Sequence, residues 1–289
     1  MSKIKAPAKV NLFLNVSGKD GKGFHFIETL FQTISIFDII EIEKTSTTES
    51  ELFITGTFAG LLKNTEDNLI LKAVNLFFKE NSIPKTGLRI QLEKNIPVSA
   101  GLGGGSSDAA AALVLLDEIF KTKLTKEDFY SLGSKLGSDI NFFFQGGSAI
   151  GYGRGEKLIS TNLDLDGYFI ILYPDFEISA RFAYENLQKK LLTNKENNYI
   201  IINLLKNIKK NKLFEITKND LQDFLITKYP SLEKLTTLLE TAGANISMVS
   251  GSGSCVFGYF NDCPDMDIFN KQSDLNVFLA RKCWGVAKR

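Results

Sequence analysis

Pro97-Val98-Ser99-Ala100-Gly101-Leu102-Gly103-Gly104-Gly105-Ser106-Ser107-Asp108 runs straight into Ala109-Ala110-Ala111-Ala112, and this stretch decides how the chain is read. Four glycines and three serines sit in a short loop that feeds a strong helix former. Glycine has no Cβ, so it reaches positive φ and lets backbone approach a ligand closely. The first N–H groups of a helix lack intrahelical partners, and the helix dipole makes that end partly positive. Such a loop is a ready anion cradle, suited to nucleotide phosphates. It is not a P-loop, which needs Lys after its last glycine where Ser106 stands. Nor is it a dinucleotide fingerprint, because Ser106 replaces the final Gly or Ala and Asp117-Glu118 lie on the same helix instead of closing the next strand. The plainer reading is a loop with Ser106 or Ser107 as N-cap, but one cap does not call for four glycines.

The 289 residues give room for two domains with real cores. Hydrophobic residues at 44% and charged residues at 23% are ordinary for a globular protein. A net charge of +1 argues against a nucleic-acid partner. Cys255, Cys263 and Cys283 are odd in number and form no CxxC, so neither a disulfide framework nor a zinc site is expected. Met1 to Lys9 lacks an apolar signal core, and no apolar run approaches bilayer length. The expectation is a cytoplasmic protein with no membrane partner, monomeric or a weak homodimer.

Lys3–Val16, Leu30–Glu43 and Glu51–Thr57 read as strands, with Lys19–Gly23 a turn. Leu69, Ala73, Leu76 and Phe77 recur at helical spacing, with a start in Thr65–Asp67. Gly87–Glu93 alternates as a strand leading into the glycine loop, and a helix follows over Ser106–Phe120. Thr125 and Asp128 form a capping-box pattern for a helix to Leu136. Gly146–Gly155 closes a first domain. Beyond it, Tyr168–Tyr173 reads as a strand, and helices are expected at Arg181–Leu191, Ile200–Ile208, Asp220–Thr227 and Leu232–Ala242. Met248–Phe260 reads strand, Gly-Ser turn, strand. Strands and helices mix without strict alternation, which favours α+β.

Four constellations carry chemistry. In Pro7-Ala8-Lys9-Val10-Asn11-Leu12, Lys9 interrupts an apolar strand. It either snorkels from a strand edge or, held among buried neighbours, steadies a phosphate or a deprotonated hydroxyl. In Leu136-Gly137-Ser138-Asp139-Ile140-Asn141, Asp139 precedes a very apolar run. It is either an N-cap or a carboxylate in a partly dry pocket that accepts a proton in phosphoryl transfer. Ser250-Gly251-Ser252-Gly253-Ser254 is either a tight hairpin or a backbone nest facing an anion. Gly23-Phe24-His25 contains the single histidine of the chain. A lone histidine is commonly structural; beside Phe24 it can also read the edge of a stacked heterocycle, with Tyr184 on the opposite face.

Together these motifs resemble the GHMP kinase superfamily of galactokinase, homoserine kinase, mevalonate kinase and phosphomevalonate kinase. The resemblance rests on Pro7–Leu12, Pro97–Ala112 and Val249–Ser254, in that order, and spans about Ala6 to Phe260. The triple glycine with Ser106-Ser107-Asp108, Phe24-His25 with Glu28 and Thr29, and Leu136–Asp139 are similar to the branch acting on a cytidyl diphosphate sugar alcohol.

That resemblance implies a two-domain α+β kinase: a ribosomal-protein-S5-like N-terminal domain over 1–155 and a C-terminal α+β domain over 156–289, with the active site in the cleft between them. It implies ATP phosphates along Pro97, Val98, Ser99, Ala100, Gly101, Leu102, Gly103, Gly104, Gly105, Ser106 and Ser107, and Mg²⁺ arriving with the nucleotide. Asp139 would be the general base for the 2-hydroxyl with Lys9 beside it. Phe24 and Tyr184 would sandwich the cytosine, His25 would read its edge, and Asn11 would help hold the substrate. Two departures stand out. Asn141 occupies the position of the family's usual proline, which would loosen the turn after Asp139, and Phe24 replaces tyrosine, which keeps stacking but drops a phenolic hydrogen bond. The rival readings are another GHMP kinase, for homoserine, mevalonate or a sugar, and a non-catalytic nucleotide-binding module.

Overall fold

The structure is a computed structural model that describes residues 2–21, 23–62, 67–161, 163, 165–187, 198–209, 212–272 and 274–286. Its frame is a long hairpin of β1 (Ser2–Lys19) and β2 (His25–Lys44). Both run past the ends expected from pattern, because residue after residue is apolar or β-branched. Proline cannot donate to a ladder, and the register shifts at Pro7/Ala8, then again at Asn11/Phe13 and Val16/Gly18. These bulges bend the hairpin, so the two halves of β2 meet different neighbours. Its C-terminal half pairs β4 (Leu88–Glu93), which carries β3 (Glu51–Thr55) in parallel. Its N-terminal half pairs β5 (Ser148–Gly153), which carries β6 (Lys157–Thr161).

Helices α1 (Leu69–Glu80), α2 (Gly104–Phe120), α3 (Lys126–Leu136) and α4 (Ile140–Gln145) cover this sheet. The α1 cap is Asn68, whose side chain accepts from Ile70 N–H, and not a residue of Thr65–Asp67; Thr65 itself lies outside the described residues. The Thr125/Asp128 capping box forms as expected. Ala109–Ala112 are all fully buried, so small side chains let α2 pass through the core on every face.

The second sheet is antiparallel, in the order β11-β7-β10-β9. It comprises β7 (Tyr168–Tyr173), then, after the two-residue β8 (Lys218–Asn219) that pairs with β1, the strands β9 (Ile246–Val249), β10 (Val256–Phe260) and β11 (Asn276–Ala280). Helices α5 (Ala180–Glu185), α6 (Asn198–Lys209), α7 (Gln222–Lys228), α8 (Ser231–Thr241) and the single turn α9 (Asp267–Asn270) complete the second half. The helix expected over Arg181–Leu191 ends at Glu185, and residues 188–191 lie outside the described ones. The chain changes sheets between Thr161 and Tyr168; the boundary expected at 155 falls in the turn between the paired strands β5 and β6. The segment after β11 then returns to the first sheet, with Ile34 bridging Lys282 and Gly146 bridging Trp284.

Candidate active site

The glycine loop crosses from β4 to α2 with Ser99, Gly101 and Gly103 at positive φ. Helix α2 starts at Gly104, two residues before the expected start, behind a left-handed Gly103 that supplies no side-chain cap. Neither Ser106 nor Ser107 caps it. The amides of Gly104, Gly105 and Ser106 are thus the orphan donors of the first turn, because the earliest intrahelical bond runs from Ser107 N–H to Gly103 O at 3.0 Å. The Gly-Ser turn between β9 and β10 packs against this loop. Ser250 Oγ donates to Gly101 O at 3.0 Å and Cys255 N–H donates to Ala100 O at 3.1 Å. A Cβ on Gly101 would fall on the Ser250 carbonyl, so glycine is required there for the two loops to meet.

Lys9 lies beneath the loop and does not snorkel: it is only 4% exposed. Its Nζ donates to Asn11 Oδ1 at 2.5 Å and to Gly101 O at 2.9 Å, and lies 3.9 Å from Asp139 Oδ2. Two of the three ammonium donors are therefore committed, which fixes the head of a flexible side chain. Burial pushes the ammonium below the ordinary lysine range, and the Asp139 charge pulls it back up. Asn11 in turn donates from Nδ2 to Thr29 Oγ1 at 2.8 Å, so its amide orientation is set.

Asp139 stands immediately before α4 but makes no side-chain cap. Its carboxylate is free to face Lys9. Asn141 Nδ2 donates to Ser134 Oγ at 2.8 Å and ties α4 to α3.

Lys9, Asn11, Ser106 and Asp139 line one end of a cavity of about 770 Å³, and Phe24, His25 and Tyr184 line the other; of Pro97–Ser107, only Ser106 is on its wall. The wall draws on residues that precede the second sheet and on Ala180–Glu185 and Gly251-Ser252 that follow its first strand. His25 packs on Tyr184 with ring centroids 5.2 Å apart and planes 32° apart, while Phe24, 55% exposed, lies under Arg154 at 4.3 Å. Burial and then the Lys19 charge hold His25 below the usual imidazole value. Burial and then the Asp139 charge push the Tyr184 phenol up.

Pattern reading missed two groups. Arg154 and Lys19 line the cavity. A cation inside the glycine run Gly151–Gly155 was the available signal for Arg154. Beneath α2, Lys94 Nζ bonds both Asp38 Oδ2 and Asp108 Oδ2, the latter at 2.8 Å, and Asp38 Oδ1 accepts the amides of Asn95 and Ile96. Desolvation outweighs Lys94 at Asp108 and pushes its carboxyl up to about 8. An Asp inside the Ile-rich strand β2 was the sign of this buried group.

Residues 68–147 match the model of the GHMP kinases N terminal domain. The chain is 34% identical over 271 residues to the 4-diphosphocytidyl-2-C-methyl-D-erythritol kinase of Clostridioides difficile (strain 630), covering 93% of this chain and 90% of that protein. It superposes on a crystal structure of 4-(cytidine 5'-diphospho)-2C-methyl-D-erythritol kinase with a TM-score of 0.75 and 26% identity, over 96% of this chain and 98% of that one. Mevalonate kinase of Methanococcus jannaschii shares the fold, with a TM-score of 0.68 at 20% identity over 98% of both chains. On a likeness this long and this close, the chain belongs to the 4-diphosphocytidyl-2-C-methyl-D-erythritol kinase family, ATP-dependent small-molecule kinases with the two-domain α+β GHMP fold.

Proposed function

We propose that this chain transfers the γ-phosphoryl group of ATP to the 2-hydroxyl of 4-diphosphocytidyl-2-C-methyl-D-erythritol, a step of the non-mevalonate isoprenoid route. The observation that carries the reading is the 3.9 Å separation of Lys9 Nζ and Asp139 Oδ2 in a cavity shared with Ser106 at the start of α2. That gap is too long for a direct hydrogen bond and wide enough for one hydroxyl oxygen to touch both groups.

In this reading Asp139 accepts the proton of the attacking hydroxyl as the O–P bond forms. Lys9, held by Asn11 and Gly101, faces the developing alkoxide and the transferring phosphoryl with its remaining donor. The open amides of Gly104, Gly105 and Ser106 and the dipole of α2 hold the phosphates over Pro97–Ser107. The Ser250–Ser254 turn buttresses that loop. Burial of Lys9 strengthens each of these interactions, since field strength rises as water is excluded.

Mg²⁺ enters with the nucleotide in the same proposal. Among the described residues no group of three or more His, Cys, Asp or Glu side chains stands together to hold a metal. The residues fit an ion carried chiefly by phosphates and water, with the Ser106 hydroxyl as the protein oxygen at the cradle. Bound there, the ion neutralises phosphate charge.

At the far end, Phe24 and Tyr184 offer ring faces for the cytosine, and His25 a neutral imidazole for its edge. A neutral ring carries one donor and one acceptor, which suits the paired polar edge of cytosine. No such reader is needed for homoserine, mevalonate or a sugar. Coupled ADP release over a panel of alcohols tests the reading. Turnover is expected with the cytidyl diphosphate alcohol and not with those three. Asp139→Asn is expected to lower turnover by about 10²–10⁴-fold while ATP still binds. Preference for another alcohol, or near-normal turnover by the variant, refutes it.

A further inference from the structure

Phe24 is the most exposed aromatic ring of the cavity, on a turn between two strands, where a ring has little to hold it. Its backbone is nonetheless held at both polar groups by one residue. Phe24 N–H donates to Asp20 Oδ1 at 2.9 Å, and Asp20 N–H donates to Phe24 O at 2.7 Å. The second carboxylate oxygen of Asp20 takes Arg154 at 2.5 Å from NH2, and the Arg154 guanidinium lies over the Phe24 ring, 4.3 Å from its centroid. Asp20 therefore fixes the ring twice: directly through the backbone, and indirectly through the cation that covers one face.

Arg154 belongs to the turn Gly153–Glu156 between β5 and β6. Its own N–H donates to Glu156 Oε2 at 2.7 Å, which holds the turn closed. The next residue, Gly155, has φ +108°, and a Cβ there would lie 3.7 Å from Asp139 Oδ1. One tight turn thus borders the proposed proton acceptor on one side and holds the aromatic platform on the other. A cation layered on an exposed ring attracts it, and the charge-assisted bond to Asp20 restrains the cation in turn.

We infer that Asp20 is a positioning residue for the base-recognition end of the cavity: it locks Phe24 and Arg154 into one clamp, so that Phe24 presents its uncovered face to a planar heterocycle. The clamp rests on the proposed reading of this cavity as a cytidyl site. Asp20 is not among the residues that line the cavity, so its removal is expected to act on substrate binding and to leave the chemical step in place.

Asp20→Ala removes both carboxylate contacts, to Phe24 N–H and to Arg154, and leaves the main-chain bond to Phe24 O in place. Asp20→Asn keeps an acceptor for Phe24 N–H and gives up the charge on Arg154. Steady-state constants are measured for both substrates in wild type and both variants, with folding checked by circular dichroism. Asp20→Ala is expected to raise KM for the cytidyl diphosphate alcohol by about tenfold and Asp20→Asn by about threefold, with kcat and KM for ATP within about twofold of wild type. A purely structural turn residue would move both KM values and kcat together. Unchanged KM for the cytidyl substrate in Asp20→Ala, or parallel losses for ATP, overturns the clamp. An Asp20→Asn enzyme identical to wild type overturns the part played by Arg154, and this variant decides the matter if Asp20→Ala does not fold. Wild-type enzyme that ignores the cytidyl substrate refutes the functional reading itself, before any variant is compared.

Discussion

A single protonation state separates two ways of reading the aromatic end of the cavity. His25 is held below its ordinary value of 6.5 by burial and then by Lys19, so near neutral pH the ring is uncharged. A lowered value means the cation forms only at a pH beneath 6.5. If the neutral ring reads the base edge, KM for the cytidyl substrate stays flat from about pH 8 to 7 and climbs only under 6.5. KM for ATP does not follow it. A cytidyl KM that falls on acidification would show that the charged ring is the reader.

The residues at this scale were unevenly legible. Lys9 and Asn11 stood out because each is polar inside an apolar strand, where burial of a polar group needs a reason, and Asp139 because it stands between a glycine turn and an apolar run. Asp20 sits in a polar, glycine-rich turn where charge is the norm, so nothing local marks it, and Arg154 is marked only as a cation inside a glycine run. Only the fold shows that they meet, although they are 134 positions apart. The buried group of Lys94, Asp38 and Asp108 escaped for a similar reason: its three members come from β2, from the start of the glycine loop and from α2.

Among the elements, the glycine loop is the one whose sequence and conformation agree most closely, yet its glycines do different jobs. A Cβ on Gly104 would point at Lys94 Nζ and Ile96, toward the core and away from the cavity. Gly101 faces the opposite loop. Its φ of +77° is strained for any L side chain, and a Cβ would collide with the Ser250 carbonyl. Gly101→Ala therefore separates the loop from the β9–β10 turn and displaces the carbonyl that holds Lys9. We expect ATP affinity to drop by at least about tenfold, with a stability loss of about 1–3 kcal/mol. Calorimetric titration with ATP and thermal unfolding measure the two effects. Wild-type affinity in this variant would remove the loop contact from the account.

Elements with strong periodicity or a cap were readable: β7 has the expected ends, and α3 opens on the expected capping box. The missed ones lack such signals. Helix α4 is a six-residue run of almost wholly buried apolar side chains, where helix and strand patterns coincide. Strand β8 is two residues long and exists only because β1 offers it an edge. Strand β6 is short and follows a glycine turn that reads as a domain end.

At the scale of the molecule, the hairpin of β1 and β2 is what brings the chemistry together. Its bulges near Pro7 and Asn11 fall on either side of Lys9, its turn carries Phe24 and His25, and β2 holds β5 and the turn that follows it beside Asp139. The second half closes the cavity with Tyr184 and supports the glycine loop with Ser250. The last residues described then tie back to the first half, where Val286 N–H donates to Phe143 O of α4 at 2.8 Å. The α+β class and the order of motifs were legible because phosphate binding demands glycine at fixed places. The returning C-terminal segment was not, since pairing across such sequence distances leaves no local pattern.

The most direct measurement is a crystal structure with a non-hydrolysable ATP analogue and the cytidyl diphosphate alcohol bound together. The account predicts the terminal phosphate over the amides of Gly104–Ser106 and the acceptor hydroxyl in hydrogen-bond contact with both Asp139 and Lys9. A triphosphate bound away from the glycine loop, or an acceptor hydroxyl turned from Asp139, would contradict it.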